Sequence, residues 1–242
     1  MLLDHIGEVF MTRFTPEWFV FRGLGRLAFP IFCYLIVEGY THTHSLKRYM
    51  LRLGAFALIS ELPYNLAFSK TLIDDSGVNV FFTLLLGLIA VASAGKGARF
   101  VLEKLKAPQK MVESVWMQTL CALPVIVGCV WLANQLHTDY HGVGVVVVYT
   151  FFLFRSCQPL ALVAFGIINS CCMCMQITQQ PGIFGEHGLR ILRTIQWAAP
   201  LACLPLGFYN GEKGNVRWRW SFYVFYPGHL LLLWLAWLIF VH

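Results

Sequence analysis

The residues of this 242-residue chain best suited to chemistry are ionisable side chains set inside apolar runs. Charges there are expensive and by default mark a site facing the protein interior. Asp4 and His5 come first. A histidine beside a carboxylate can be oriented and made more basic, which suits a general base. Neighbouring helix residues point about 100° apart, so Asp4 need not touch His5, and a polar pair at a helix end explains the same two residues. Arg22 and Arg26 follow, four apart on one helix face. They lie beside Gly23 and Gly25, which permit close backbone approach, and ahead of Pro30, which loosens the helix. Snorkelling to the outer interface accounts for Arg22. Arg26 sits deeper and needs a partner; Glu61, in Ser60-Glu61-Leu62-Pro63, lies at comparable depth. That pair is either architectural or part of a site. Asn65 and Asn79 add hydrogen-bonding capacity nearby.

A second polar set falls at the opposite membrane face. Arg48 and Arg52 are one turn apart, with Glu38 and His42 before them. Far along the chain stands a Gly-rich turn, Tyr209-Asn210-Gly211-Glu212-Lys213-Gly214-Asn215, leading past Arg217 to Phe225-Tyr226-Pro227-Gly228-His229. Glycines let a backbone approach a ligand, and lysine with arginine can neutralise phosphates. This is no Walker sequence, and basic anchoring with a tight turn explains it equally well. Among the eight cysteines, Cys171 and Cys174 share a helix face. A zinc site would need four ligands at motif spacing, so packing is the expected role and no metal is expected.

The elements that must position these residues are membrane helices. The chain is 58% hydrophobic and 12% charged, about half the charged share of a soluble domain. Its apolar residues come in runs of span length. Without water in the hydrocarbon layer each span must satisfy its own backbone, and the ten-residue alternation of a membrane barrel is absent. The expected fold is therefore all-α, a polytopic transmembrane helix bundle of about eight to nine spans. A partial span over Met1–Met11 precedes full ones near Val20–Tyr40, Tyr49–Phe68, Val78–Ala94, Trp116–Leu136, Tyr140–Phe154, Pro159–Ile177, Ile191–Phe208 and Ser221–Val241. No cleavable signal is expected, since Asp4 and His5 interrupt the first apolar run.

Alternate loops are basic. Lys47, Arg48 and Arg52 form one group; Lys96, Arg99, Lys104, Lys106 and Lys110 a second; then come Arg155, and Lys213, Arg217 and Arg219. The intervening loops hold Asp74 and Asp75, or Asp139. The positive-inside rule makes the basic loops cytoplasmic in a multi-pass cell-membrane protein. The net charge of +6 is mostly this asymmetry, so a lipid bilayer rather than nucleic acid is the expected partner.

Several segments resemble the TraX family in sequence and order. They are Asp4-His5-Ile6-Gly7, Gly25 to Phe32, Glu38 to Thr43, Tyr49 to Arg52, Ile59 to Tyr64, Asn79 to Thr83, Asp139-Tyr140, Tyr209 to Gly214 and Phe222 to Leu230. The match spans nearly the whole chain and is weakest over residues 96–130 and 171–189. Family members show a fuller apolar stretch before the Asp-His pair, where only Met1 to Leu3 stand here, implying a shortened first helix. The resemblance implies a single acyltransferase-like domain over residues 1–242, an integral membrane acetyltransferase with acetyl-CoA as co-substrate. The best-known member N-acetylates the pilin of conjugative pili, so the implied acceptor is a protein N-terminus or a small amine or hydroxyl compound. On that frame Arg48, Arg52, Lys213 and Arg217 hold the CoA phosphates, with Asn210 and His229 lining the cofactor site. His5 is the base or a transient acetyl carrier, Asp4 supports its charge, and Arg26 or Asn79 stabilises the oxyanion.

Two other classes compete. A small-molecule or ion transporter also carries intramembrane Arg, Glu and His, but commonly shows internal repeats, and the halves of this chain have no convincing similarity. A non-catalytic pilus or surface-fibre assembly protein would not require polar sets at both faces.

Overall fold

Outward-facing apolar side chains set the character of this chain. Leu58, Trp116, Leu120, Val127, Trp131, Val163, Ile167, Leu232 and Ile239 are all exposed, on helices whose opposite faces pack inward. A soluble protein rarely displays so much apolar surface; a lipid-facing one does. The computed structural model describes residues 1–74, 77–178, 195–212 and 219–240. The fold is all-helical, with no strand among the described residues. Among the described residues, five helical stretches are long and apolar enough to cross a membrane: Pro16–His42, Val80–Lys104, Val115–Gln135, Gln158–Met175 and Trp220–Phe240. The chain is a membrane protein.

The described chain forms two compact units. One comprises Met1–Phe32, Leu58–Asp74 and Ser156–His242, the other Cys33–Ala57 and Asp75–Arg155. In the first unit, α1 (Leu2–Phe10) docks on α2 (Pro16–Arg26). The start of α2 is specified locally: Thr15 accepts a hydrogen bond from Trp18 N, Pro16 occupies the first turn, and Glu17 complements the helix dipole. Its end is specified too. Pro30 cannot donate to the carbonyl of Arg26, four residues back, and α2 gives way there to α3 (Ala28–His42). The unit also holds the latter part of α4 (Leu46–Phe68), then α10 (Gln158–Thr178), a 3₁₀ segment at Gln196–Ala202, α11 (Cys203–Gly207) and α12 (Arg219–Phe240).

The second unit is organised around α5 (Val80–Ala92), buried except for a half-exposed stripe at Phe82, Leu85 and Ile89, as expected of a helix that is hydrophobic all round. It packs on α8 (Val115–Gln135) and α9 (His141–Leu153). At Gly87 a Cβ would stand 2.8 Å from Val148, so only glycine permits the α5–α9 approach. After α5 a single π turn, Ser93–Gly97, leads into α6 (Ala98–Lys104), and α7 (Gln109–Glu113) follows. Val78 and the His137–Asp139 segment exchange backbone hydrogen bonds, Val78 N donating to His137 O at 3.4 Å and Asp139 N to Val78 O at 3.1 Å. Both loops therefore share one end of the unit.

Two expectations are corrected. The apolar run expected to span the membrane over Ile191–Phe208 is, in its described part, a 3₁₀ segment and the one-turn helix α11. Pro200 and Pro205 remove the donors a continuous helix would need. The Val78–Ala94 span is longer than expected, because the π turn carries the helical path on to Lys104. The short Tyr140–Phe154 run is matched by α9, an apolar helix of 13 residues.

Candidate active site

His5 and His229 meet although 224 positions separate them: His5 Nδ1 lies 2.8 Å from His229 Nε2. Both residues are buried, at 6% and 5% exposure. Their rings are nearly parallel, with centroids 5.0 Å apart. The ring of Phe225 stacks on His229 at 4.8 Å. Phe68 stands edge-on to His5 at 5.1 Å, and Tyr226 approaches both imidazoles. The second nitrogen of His229, Nδ1, lies 2.6 Å from the carbonyl oxygen of Phe225, one turn earlier in α12.

A charged ladder stands beside this pair. Arg22 Nη1 reaches the Asp4 carboxylate at 2.7 Å and Arg22 Nε reaches Glu8 at 3.4 Å, while Arg26 Nε is 4.0 Å from Asp4. Asp4 and Glu8 are one turn apart on α1, as Arg22 and Arg26 are on α2, so two complementary i, i+4 rows face each other. Gly25 makes this possible: a side chain there would collide with the Cβ and backbone of Asp4.

These positions revise several sequence-based expectations. Asp4 engages the arginines, and the hydrogen-bond partner of His5 is His229. Arg22, expected to snorkel outward, has a side chain only 14% exposed and holds Asp4 more closely than Arg26 does. The signal for this was present in the Asp4/Glu8 and Arg22/Arg26 spacing. His229, expected in the cofactor set, contacts His5. Asn79 is fully buried: its oxygen accepts from Phe81 N at 3.0 Å, capping α5, and its amide donates to Ala57 O at 2.8 Å. Asn210 accepts from Glu212 N at 3.0 Å within its own turn. Arg48 is exposed, and the Arg52 guanidinium lies 6.0 Å from the Tyr49 ring centroid. Lys213 and Arg217 lie outside the described residues.

The family model for the TraX protein matches residues 1–236. The chain belongs to the TraX family. Among curated proteins, it is similar to the "Probable fimbrial assembly protein FimC, serogroup H1" of Dichelobacter nodosus, at 27% identity over 243 residues. That alignment covers 96% of this chain and 89% of the relative. No solved structure matches. The TraX match includes both His5 on α1 and His229 on α12.

Proposed function

We propose that this TraX-family chain is a membrane acetyltransferase that moves an acetyl group from cytosolic acetyl-CoA to an amine or hydroxyl acceptor. The observation that carries the reading is the buried His5–His229 pair beside the Asp4–Arg22–Arg26 ladder. The acceptor nitrogen or oxygen attacks the thioester carbonyl and its proton passes to His5. As the tetrahedral intermediate collapses, the C–S bond breaks, and His5 returns the proton to the CoA thiolate. Arg26 is the candidate for stabilising the oxyanion, a contribution of about 3 kcal/mol per donor in other enzymes. A two-step route, with His5 acetylated first and passing the group on, uses the same residues. Arg48, Arg52, Lys213 and Arg217 are candidates for the CoA phosphates, to be read as changes in KM for acetyl-CoA.

The orientation belongs to the same proposal. In the second unit, the loops at Val78 and Thr138 share one end with Asp139. Lys96 lies roughly 24 Å further along the helical path. There its backbone amide donates to the Tyr40 hydroxyl at 3.1 Å, and Arg99 and Arg155 lie close enough to act on that hydroxyl electrostatically. A unit basic at one end and acidic at the other supports placing the Lys96–Lys104 end in the cytoplasm.

The test is transfer of label from [acetyl-¹⁴C]acetyl-CoA to synthetic peptides bearing free N-termini and to small hydroxyl acceptors, using purified protein in nanodiscs. Transfer that falls about 10²–10⁴-fold in a folded His5→Ala variant is expected. Folded wild-type protein that transfers no label to any of these acceptors would overturn the reading. The second reading, a pilus-related assembly protein without catalysis, is favoured by the name of the Dichelobacter relative. It predicts that fibre assembly survives His5→Ala.

A further inference from the structure

We infer that His229 is a positioning residue that fixes the tautomer of His5, holding the proton on Nδ1 and leaving Nε2 as the nitrogen that does the chemistry. This deepens the acetyltransferase reading, which names His5 but neither its reactive nitrogen nor what orients it.

A backbone carbonyl only accepts hydrogen bonds. The 2.6 Å contact between His229 Nδ1 and the Phe225 oxygen therefore requires the proton of His229 to sit on Nδ1. In a neutral imidazole the other nitrogen then carries a lone pair and no proton, so His229 Nε2 is an acceptor. Its partner at 2.8 Å, His5 Nδ1, must be the donor. A neutral His5 with its proton on Nδ1 presents an unprotonated Nε2, which makes no hydrogen bond among the described residues. A single carbonyl on α12 thus sets the protonation pattern of a ring on α1, through one intervening imidazole.

The packing supports the same role. His229 packs against the ring of Phe225 at a centroid distance of 4.8 Å and meets His5 edge to edge, the two imidazole planes within 7° of each other, and Phe68 stands edge-on to His5. The ring planes are thereby set as well as the protons. The arrangement has the logic of a base oriented by a third group, in which the orienting residue selects the correct tautomer without itself reacting. Here the orienting group is an imidazole. The nearest carboxylate, Asp4, lies on the same helix as His5 but is bonded to Arg22. When Nε2 takes a proton from the acceptor, the resulting imidazolium still donates Nδ1–H to His229 Nε2. No rearrangement of the pair is needed during the step.

The primary test is ¹⁵N NMR of the full-length protein in nanodiscs, labelled at the histidine ring nitrogens and assigned with His5→Ala and His229→Gln. In neutral His5, a protonated Nδ1 and an unprotonated Nε2 are expected; the reverse pattern would overturn the inference. His229→Leu removes the acceptor and should let His5 populate both tautomers. His229→Gln can turn its amide oxygen toward His5 and should retain the wild-type preference. In the transfer assay, His229→Leu should lower kcat about 10–100-fold, as loss of an orienting partner does at metal-bound histidines, with KM for acetyl-CoA unchanged and kcat restored by Gln. A folded His229→Leu protein with wild-type tautomer and kcat also overturns it. If the wild-type protein transfers no acetyl group, the acetyltransferase reading fails alone, and the ring-nitrogen signals still decide the role of His229.

Discussion

The guanidinium of Arg22 lies 2.7 Å from the carboxylate of Asp4, and each side chain is only 14% exposed. The two residues come from helices that follow one another in the chain, yet the bond is tertiary, because α1 must fold back along α2 to make it. Arg22 also reaches Glu8 and Asp4 also approaches Arg26, so the contact is the centre of a small network and removing a member leaves charges facing each other.

Arg22→Ala should therefore destabilise the protein more than Arg26→Ala does. Removing one partner of a buried pair costs about 3–5 kcal/mol, and the partial exposure of both side chains places Arg22→Ala toward the low end of that range. Thermal unfolding of detergent-solubilised protein, followed by tryptophan fluorescence, measures the difference. A melting temperature equal to wild type in Arg22→Ala would show that the pair carries no stability.

Gly25→Ala and Gly23→Ala should differ sharply although only two residues apart. At Gly25 a new methyl would overlap Asp4, including its backbone, whereas at Gly23 it would meet Ala198 and Ile195 at 3.8 and 3.9 Å, ordinary contact distances. Overpacking costs typically about 1–3 kcal/mol, and the backbone clash puts Gly25→Ala at or above that range. Gly23→Ala should be neutral or stabilising by up to about 1 kcal/mol from helix propensity. The same unfolding assay reads both.

Asn79→Ala should lower stability by about 0.5–2 kcal/mol through loss of the α5 cap, with a smaller further loss from the second hydrogen bond to the helical carbonyl of Ala57. Asn79→Asp keeps the cap acceptor and should recover part of the loss. If Asn79 acts only through the fold, label transfer per folded molecule will be unchanged in both variants; a selective fall in kcat would assign it to the oxyanion instead.

Much of this was legible in the sequence, and what was missed has physical causes. The all-helical membrane class follows from the apolar runs, and the choice of His5, Asp4 and Arg26 as candidates from the cost of charge in lipid. The partners do not. The sequence points Arg26 to Glu61 as its partner, while Asp4, which approaches it here at 4.0 Å, reads only as a support for His5; periodicity cannot say which helix will fold back. Ile191–Phe208 has the composition of a span, yet Pro200 and Pro205 divide its described part into short turns. Hydropathy averages over prolines where backbone hydrogen bonding cannot. The meeting of His5 with His229 depends on the packing of α1 against α12, from opposite ends of the chain, and no local pattern encodes it.

Orientation is open to direct measurement. With native cysteines replaced, single cysteines at Ile73, which is 80% exposed and sits beside Asp74, and at Lys104 should label from opposite sides of intact cells. Position 73 is expected to react with an impermeant maleimide and position 104 only after permeabilisation. External labelling at both would reverse or abolish the assigned orientation.

The π turn at Ser93–Gly97 bears on which lengths of chain this fold tolerates. A π turn holds one residue more than the α turn it replaces, so deleting one residue there would leave the helix free to continue unbroken. The residues after the turn would keep the places they hold now, with Ala98 and Leu102 still buried on α6. A one-residue deletion within α6 itself has no such slack and rotates everything after it by about 100°. The irregular turn is thus a reserve of one residue, the place along this helical path where a shortening costs the packing least.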